Sequence, residues 1–139
     1  MPLRYAHASE EFERFVVDAR DALGLTTRHQ TYTAVQAVLW TFRRRLDPAQ
    51  VVAFAQFLPP VLSAIFLQDW DPTASRAAFG GPEEWTREAK AVRAEHNFAP
   101  DDVVPVVAEA LRRHVDAREF DRLLAGMPAG AAAFWAGRG

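Results

Sequence analysis

The chain contains no cysteine. Disulfide staples, thiolate metal sites and cysteine nucleophiles are therefore excluded together. Lysine is nearly absent as well: Lys90 stands alone, and the rest of the basic charge is arginine. Together with abundant alanine, this reads as coding bias and not as function. Acids exceed bases to give a formal net charge of −2, with the imbalance spread over both halves. No basic field of domain size exists to neutralise phosphates, so nucleic acid is disfavoured as a partner, and an anionic membrane surface equally so. Long apolar runs are missing too. The longest, near Phe57 to Leu67, is shorter than a bilayer span and is interrupted by Pro59-Pro60. Residues Met1 to Glu10 lack the apolar segment of a secretory signal, and a cytoplasmic location is the expectation.

What is present is core. Half of the residues are hydrophobic and 24% are charged, the balance of a globular domain. One domain over residues 1–139 is expected. Phe12, Phe15, Val16, Ala19 and Leu23 form one helical stripe, opened by Ser9 as N-cap and closed by Gly24. Thr27 and Gln30 form a capping box for a second helix, whose apolar face is Tyr32, Val35, Val38, Leu39, Phe42 and Leu46. Asp47-Pro48-Ala49-Gln50 starts a third, which Pro59-Pro60 must break because proline removes a donor and clashes one turn back. After a linker at about 71–81, Gly81-Pro82 starts a helix over Trp85, Ala89 and Val92, and Asp101-Asp102 starts another. Asp116 and Glu119 then repeat the capping box, and Pro128 breaks the last helix. The tail Gly137-Arg138-Gly139 is expected to fray. No period-two alternation calls for strands.

The two halves align. Pro59 and Pro128 stand 69 apart, as do Asp47 and Asp116, Phe54 and Leu123, Phe66 and Trp135, and Arg43-Arg44 and Arg112-Arg113. The first helices align at an offset of 73, placing Phe12 on Trp85 and Leu25 on Phe98. The expected fold is all-α: a six-helix domain of two tandem three-helix repeats, about 9–70 and 82–136, with approximate two-fold symmetry. A unit this small is marginal alone and must cover apolar surface on its twin.

Leu23-Gly24-Leu25, Ala37-Val38-Leu39, the acid-capped helix leading to Leu58-Pro59, and Trp70-Asp71-Pro72 follow one another in an order that resembles the bacterial family catalogued as domain of unknown function 2267. The resemblance runs from about Phe12 to Trp135 and includes the repeated organisation. It implies the helical fold and a loose association with stress-response genes, and it implies no activity. His96-Asn97-Phe98 departs from the Leu-Gly-Leu pattern in the second half.

Candidate chemistry is sparse. None of His7, His29, His96 and His114 forms a metal-binding pair, and all are read as structural; an approach of His96 to acids of the other copy is left open, since nothing in the sequence places it there. Asp69-Trp70-Asp71 offers two carboxylates for a hard cation or for acid–base work, or else a helix exit with Trp70 on the core. Arg43-Arg44-Arg45 and Arg112-Arg113 offer a paired basic patch for an acidic partner, or else dipole complements at two helix ends. Trp40 lies one position off its apolar stripe and is an interface candidate. No metal and no cofactor are expected. Three readings stay open: a non-enzymatic protein-interaction module with an unidentified protein partner, a ligand- or metal-binding protein or enzyme with its site between the copies, and a weak nucleic-acid binder through the arginines. A homo-oligomer also stays open.

Overall fold

The computed structural model describes residues 3–138, with side chains from residue 5 onward. Every regular element among them is helical. They are α1 (Leu3–Ala6), α2 (Ala8–Leu23), α3 (Arg28–Arg43), α4 (Pro48–Phe57), α5 (Pro60–Leu67), α6 (Pro82–Ala91), α7 (Val103–Arg113), α8 (Ala117–Ala125) and α9 (Ala131–Phe134), with a 3₁₀ turn at Ala94–His96. No helix among the described residues is long and apolar enough to cross a membrane.

Local chemistry sets most of the boundaries. Gly24 ends α2 at φ 70°, a left-handed conformation that glycine adopts without steric cost. Thr27 with Gln30 and Asp47 with Gln50 form complete capping boxes at the starts of α3 and α4. Pro59-Pro60 separates α4 from α5, and the stretch around Pro128 separates α8 from α9.

Three expectations fail. Ser9 is not an N-cap: α2 begins at Ala8 behind His7, whose carbonyl already accepts from the Glu11 N–H, and α1 precedes it. The Asp116 box is only half formed, because Asp116 accepts from the Glu119 N–H without a reciprocal bond. Glu119 and Asp116 are both carboxylates and repel, whereas Gln50 brings a neutral amide to Asp47. The tail does not fray at Arg138, whose backbone N–H and guanidinium both bind Glu109; Gly139 lies outside the described residues.

Packing crosses between the halves of the chain. The helix α3 lies against α6, and α2 lies against α7. One cluster of buried side chains runs from Phe15 to Trp135. Its centre is aromatic: Phe54 stacks on Trp135 at 5.6 Å, and Phe42, Phe120 and Phe134 all pack on the same indole. Phe54 is wholly buried, while Leu123, paired with it by sequence, is only half-buried.

Candidate functional site

The residues singled out by sequence fall into two groups. Arg43, Arg44, Asp69, Trp70 and Asp71 line one cavity of about 190 Å³ with Arg76, where α3 ends against the segment after α5. Much of this polarity is engaged in capping. Arg43 donates to the carbonyls of Phe66 and Gln68, both at 2.8 Å, and its guanidinium lies 5.1 Å above the Trp40 ring. Trp40 in turn donates from Nε1 to the Ile65 carbonyl (3.1 Å). The two side chains thereby satisfy the C-terminal carbonyls that α5 leaves open. Burial lowers the Arg43 pKa, and Asp69 opposes that shift. Asp69 sits at φ 57°, and Asp71 accepts from the backbone and hydroxyl of Thr73, which hold its carboxyl below the ordinary range. Arg112 and Arg113 are elsewhere. Arg112 donates to the Trp135 carbonyl (2.7 Å) and pairs with Asp121. Among the described residues, no three histidine, aspartate or glutamate side chains converge as metal ligands.

Arg44, Arg45 and Arg113 form ion pairs across the seams between the crossing helices. At the α3–α6 seam, Arg45 is 1% exposed. It grips the Glu88 carboxylate through Nη1 (2.7 Å) and Nη2 (3.0 Å), and donates to the carbonyls of Thr41 and Phe79. Arg44 adds a second ion pair to Glu88 at 2.9 Å. The bond from Arg45 holds the Glu88 carboxyl below its ordinary range against the opposing effect of burial. Trp85 donates from Nε1 to the same Phe79 carbonyl (2.8 Å), and the Phe79 ring meets the Trp85 ring edge-on at 5.9 Å. Beneath that ring lies Gly130, at φ 102°, where an added Cβ would approach Phe79 to 2.6 Å. Phe79 therefore plugs this seam.

The α2–α7 seam is built differently. Arg113 binds Asp18 through Nε and Nη2, both at 2.9 Å, and His114 Nε2 lies 2.8 Å from the same carboxylate. Arg113 foremost, then His114, lowers the Asp18 pKa, while burial pulls it upward. The His114 ring meets Phe15 edge-on at 5.5 Å. Beside it opens a cavity of about 230 Å³ walled by Phe12, Phe15, Pro59, Val61 and Leu62, with Glu11 and Arg14 also lining it. A neighbouring opening of about 260 Å³ shares Glu11, Pro59 and His114, and continues past Phe57, Asp116 and Glu119. An apolar hollow with a few polar groups around it is the usual form of a binding site, and this one has the size of a single large side chain.

Sequence reasoning missed Asp18, Glu88 and Phe79 as partners, and treated His114 as an ordinary helix end. Asp18 and His114 are 96 residues apart, so no local spacing links them. Phe79 did carry a signal: it is a lone aromatic in a run of small residues. His96 is exposed and lies in the 3₁₀ turn, and no ion pair to an acid of the first half joins it.

The fold and the seams define a small all-helical protein with a cleft between crossing helices. Within that class the chain belongs to the family of uncharacterized conserved proteins DUF2267, which residues 12–134 match. Among curated proteins none matches the chain.

Proposed function

We propose that the chain is a non-enzymatic protein-binding module, made of two tandem copies of one three-helix unit, that holds its partner in the cleft at the α2–α7 seam. The observation that carries this reading is the cleft itself: aromatic and aliphatic walls, open to solvent, with Glu11, Arg14 and His114 around them. The repeat is supported by reciprocal contacts. The first helix of each unit packs on the second helix of the other, α2 on α7 and α6 on α3. Arg43 caps through the Phe66 carbonyl and Arg112 through the Trp135 carbonyl, with donor and acceptor both displaced by the same 69 positions. The lack of cysteine favours a reducing compartment, which this reading takes to be the cytoplasm. The arginine pairs lend little support to nucleic-acid binding, because all four side chains are engaged with carbonyls or carboxylates.

The test is photo-crosslinking in the producing cell. A photoreactive phenylalanine analogue replaces exposed Arg14 at the cleft rim in one variant, and exposed Val52 on α4 in another. Defined adducts from position 14 alone are expected. Equal adducts from both positions, or none from either, would sink the reading.

A second reading has one observation in its favour. A carboxylate oriented on an imidazole at a cleft wall, as Asp18 is on His114 at 2.8 Å, is an arrangement that general bases use. It makes the cleft a small-ligand or enzyme site. A ligand screen by thermal shift decides for it when a hit depends on His114 and is lost in His114→Gln.

A further inference from the structure

We infer that the segment held in the cleft presents an aromatic side chain, with a basic residue close beside it. The inference rests on the two-copy reading of the chain and on the cleft as its binding site. Under the two offsets, each element of the open cleft has a counterpart at the other seam. Phe12 answers to Trp85, Val61 to Gly130, and His114 to Arg45. Those three counterparts are the ones that surround Phe79. Its ring packs on Trp85 and over Gly130, and its carbonyl accepts from Arg45.

The molecule thus carries one filled example of the site, and the filler is a phenylalanine in an irregular segment just before α6. At the open seam the counterpart of that phenylalanine is a small residue. The position answering to Phe79 is Ala6, at the end of α1. The walls there remain aromatic and aliphatic, so a partner's aromatic ring finds the same kind of surface that Phe79 finds.

Charge supplies the second half. The two adjoining openings bring Glu11, Asp116 and Glu119 to the cleft, against Arg14 and His114. Neither Glu11 nor Glu119 has an ion-pair partner among the described residues. A lysine or arginine next to the aromatic residue meets carboxylates there that no described side chain pairs with, and an acidic residue is repelled.

The experiment is selection of phage-displayed random 12-residue peptides on the immobilised full chain. Enriched peptides are then synthesised and titrated against labelled protein by NMR. The expected clones carry Phe, Tyr or Trp with Lys or Arg within a few positions. Their peptides shift the resonances of Phe12, Val61, Leu62 and His114. Binding falls at least tenfold in Val61→Trp, which fills the cleft, and several-fold in the double variant Glu11→Lys with Glu119→Lys. The shift map on the unaltered protein reads the site even if Val61→Trp folds poorly. Clones without aromatic residues, or with acidic ones, that still map to the cleft would overturn this inference and leave the binding site standing. Peptides mapping elsewhere, or no enrichment at all, would remove the binding site and the inference together.

Discussion

The two seams join the same kinds of helix, yet one is sealed and the other open. At α3–α6 a buried guanidinium, a carboxylate and a linker phenylalanine fill the space between helices. At α2–α7 Arg113 and the imidazole of His114 share the Asp18 carboxylate, the ion pair lies partly in water, and a cavity remains. The difference lies in volume and solvation, since both seams join a cationic helix end to a carboxylate on the facing helix. It teaches that ion pairs bridge both seams, and that the burial of the cation and the presence of a filler set them apart. The arginines that looked like a basic patch are fasteners.

The largest expected effect tests whether the two seams share one core. Phe54→Ala removes a wholly buried ring that touches Phe42, Phe66, Phe120 and Trp135. It is expected to cost about 3–5 kcal/mol, whereas Leu123→Ala, half-buried, falls near or below about 2. Each lowers a single unfolding transition in urea. Two transitions, only one of them moved, would mean that the seams belong to separate folding units and that comparing them is empty.

Next comes the sealed seam. Glu88→Ala leaves Arg45 buried without its carboxylate, at a cost of about 3 kcal/mol, the lower end for a broken buried pair because two carbonyls still accept from it. The matching change at the open seam, Asp18→Ala, is expected to cost no more than about 1 kcal/mol, since Arg113 remains solvated. Equal costs in paired chemical melts would erase the distinction drawn between the seams.

Phe79→Ala unplugs the sealed seam. A half-buried ring is expected to cost about 2 kcal/mol, less than a core phenylalanine. The same change should open a second hollow at Trp85 and Gly130 that takes up a small aromatic such as indole, seen as a rise in melting temperature on its addition. No such rise would mean that the walls close once the plug is gone.

The smallest effect is in acid. Asp18 and Glu88 are both held below the ordinary carboxylate range in the folded chain. A lowered folded pKa adds stability above the unfolded value and loses it as pH falls through the folded one, so both seams weaken below about pH 4. Melting temperature against pH should flatten there in Glu88→Gln, and to a smaller extent in Asp18→Asn. Unchanged acid limbs in both variants would show that other carboxylates govern the decline.

Much of the helical frame is legible in the amino-acid sequence, for a local reason. Thr27 with Gln30, Asp47 with Gln50, Gly24 and the prolines each act within four residues, and so do the apolar stripes that face the core. The seams act across the chain. Arg45 looked like one of three dipole complements, and only Glu88, 43 residues on, makes it a buried lock. Arg138 read as a loose tail because Glu109 lies 29 residues before it. Asp69, Trp70, Asp71, Arg43 and Arg44 do come together, but two long side chains that sequence offers for binding, Trp40 and Arg43, are occupied in capping α5. The cleft at His114 had no local sign at all, because its walls come from α2, the α4–α5 break and the end of α7.

Phe79 is tied to its own site by the few residues that separate it from α6. A tether of that length confers a local concentration on the order of millimolar, so a contact appreciably tighter than about millimolar stays closed most of the time. Under the proposed function, a partner arriving at the open cleft would have no such tether and would meet its walls at its own cellular concentration. On that proposal one ring in one hollow would exchange quickly, and lasting attachment would require that the partner carry several such segments or that several copies of this chain be held side by side.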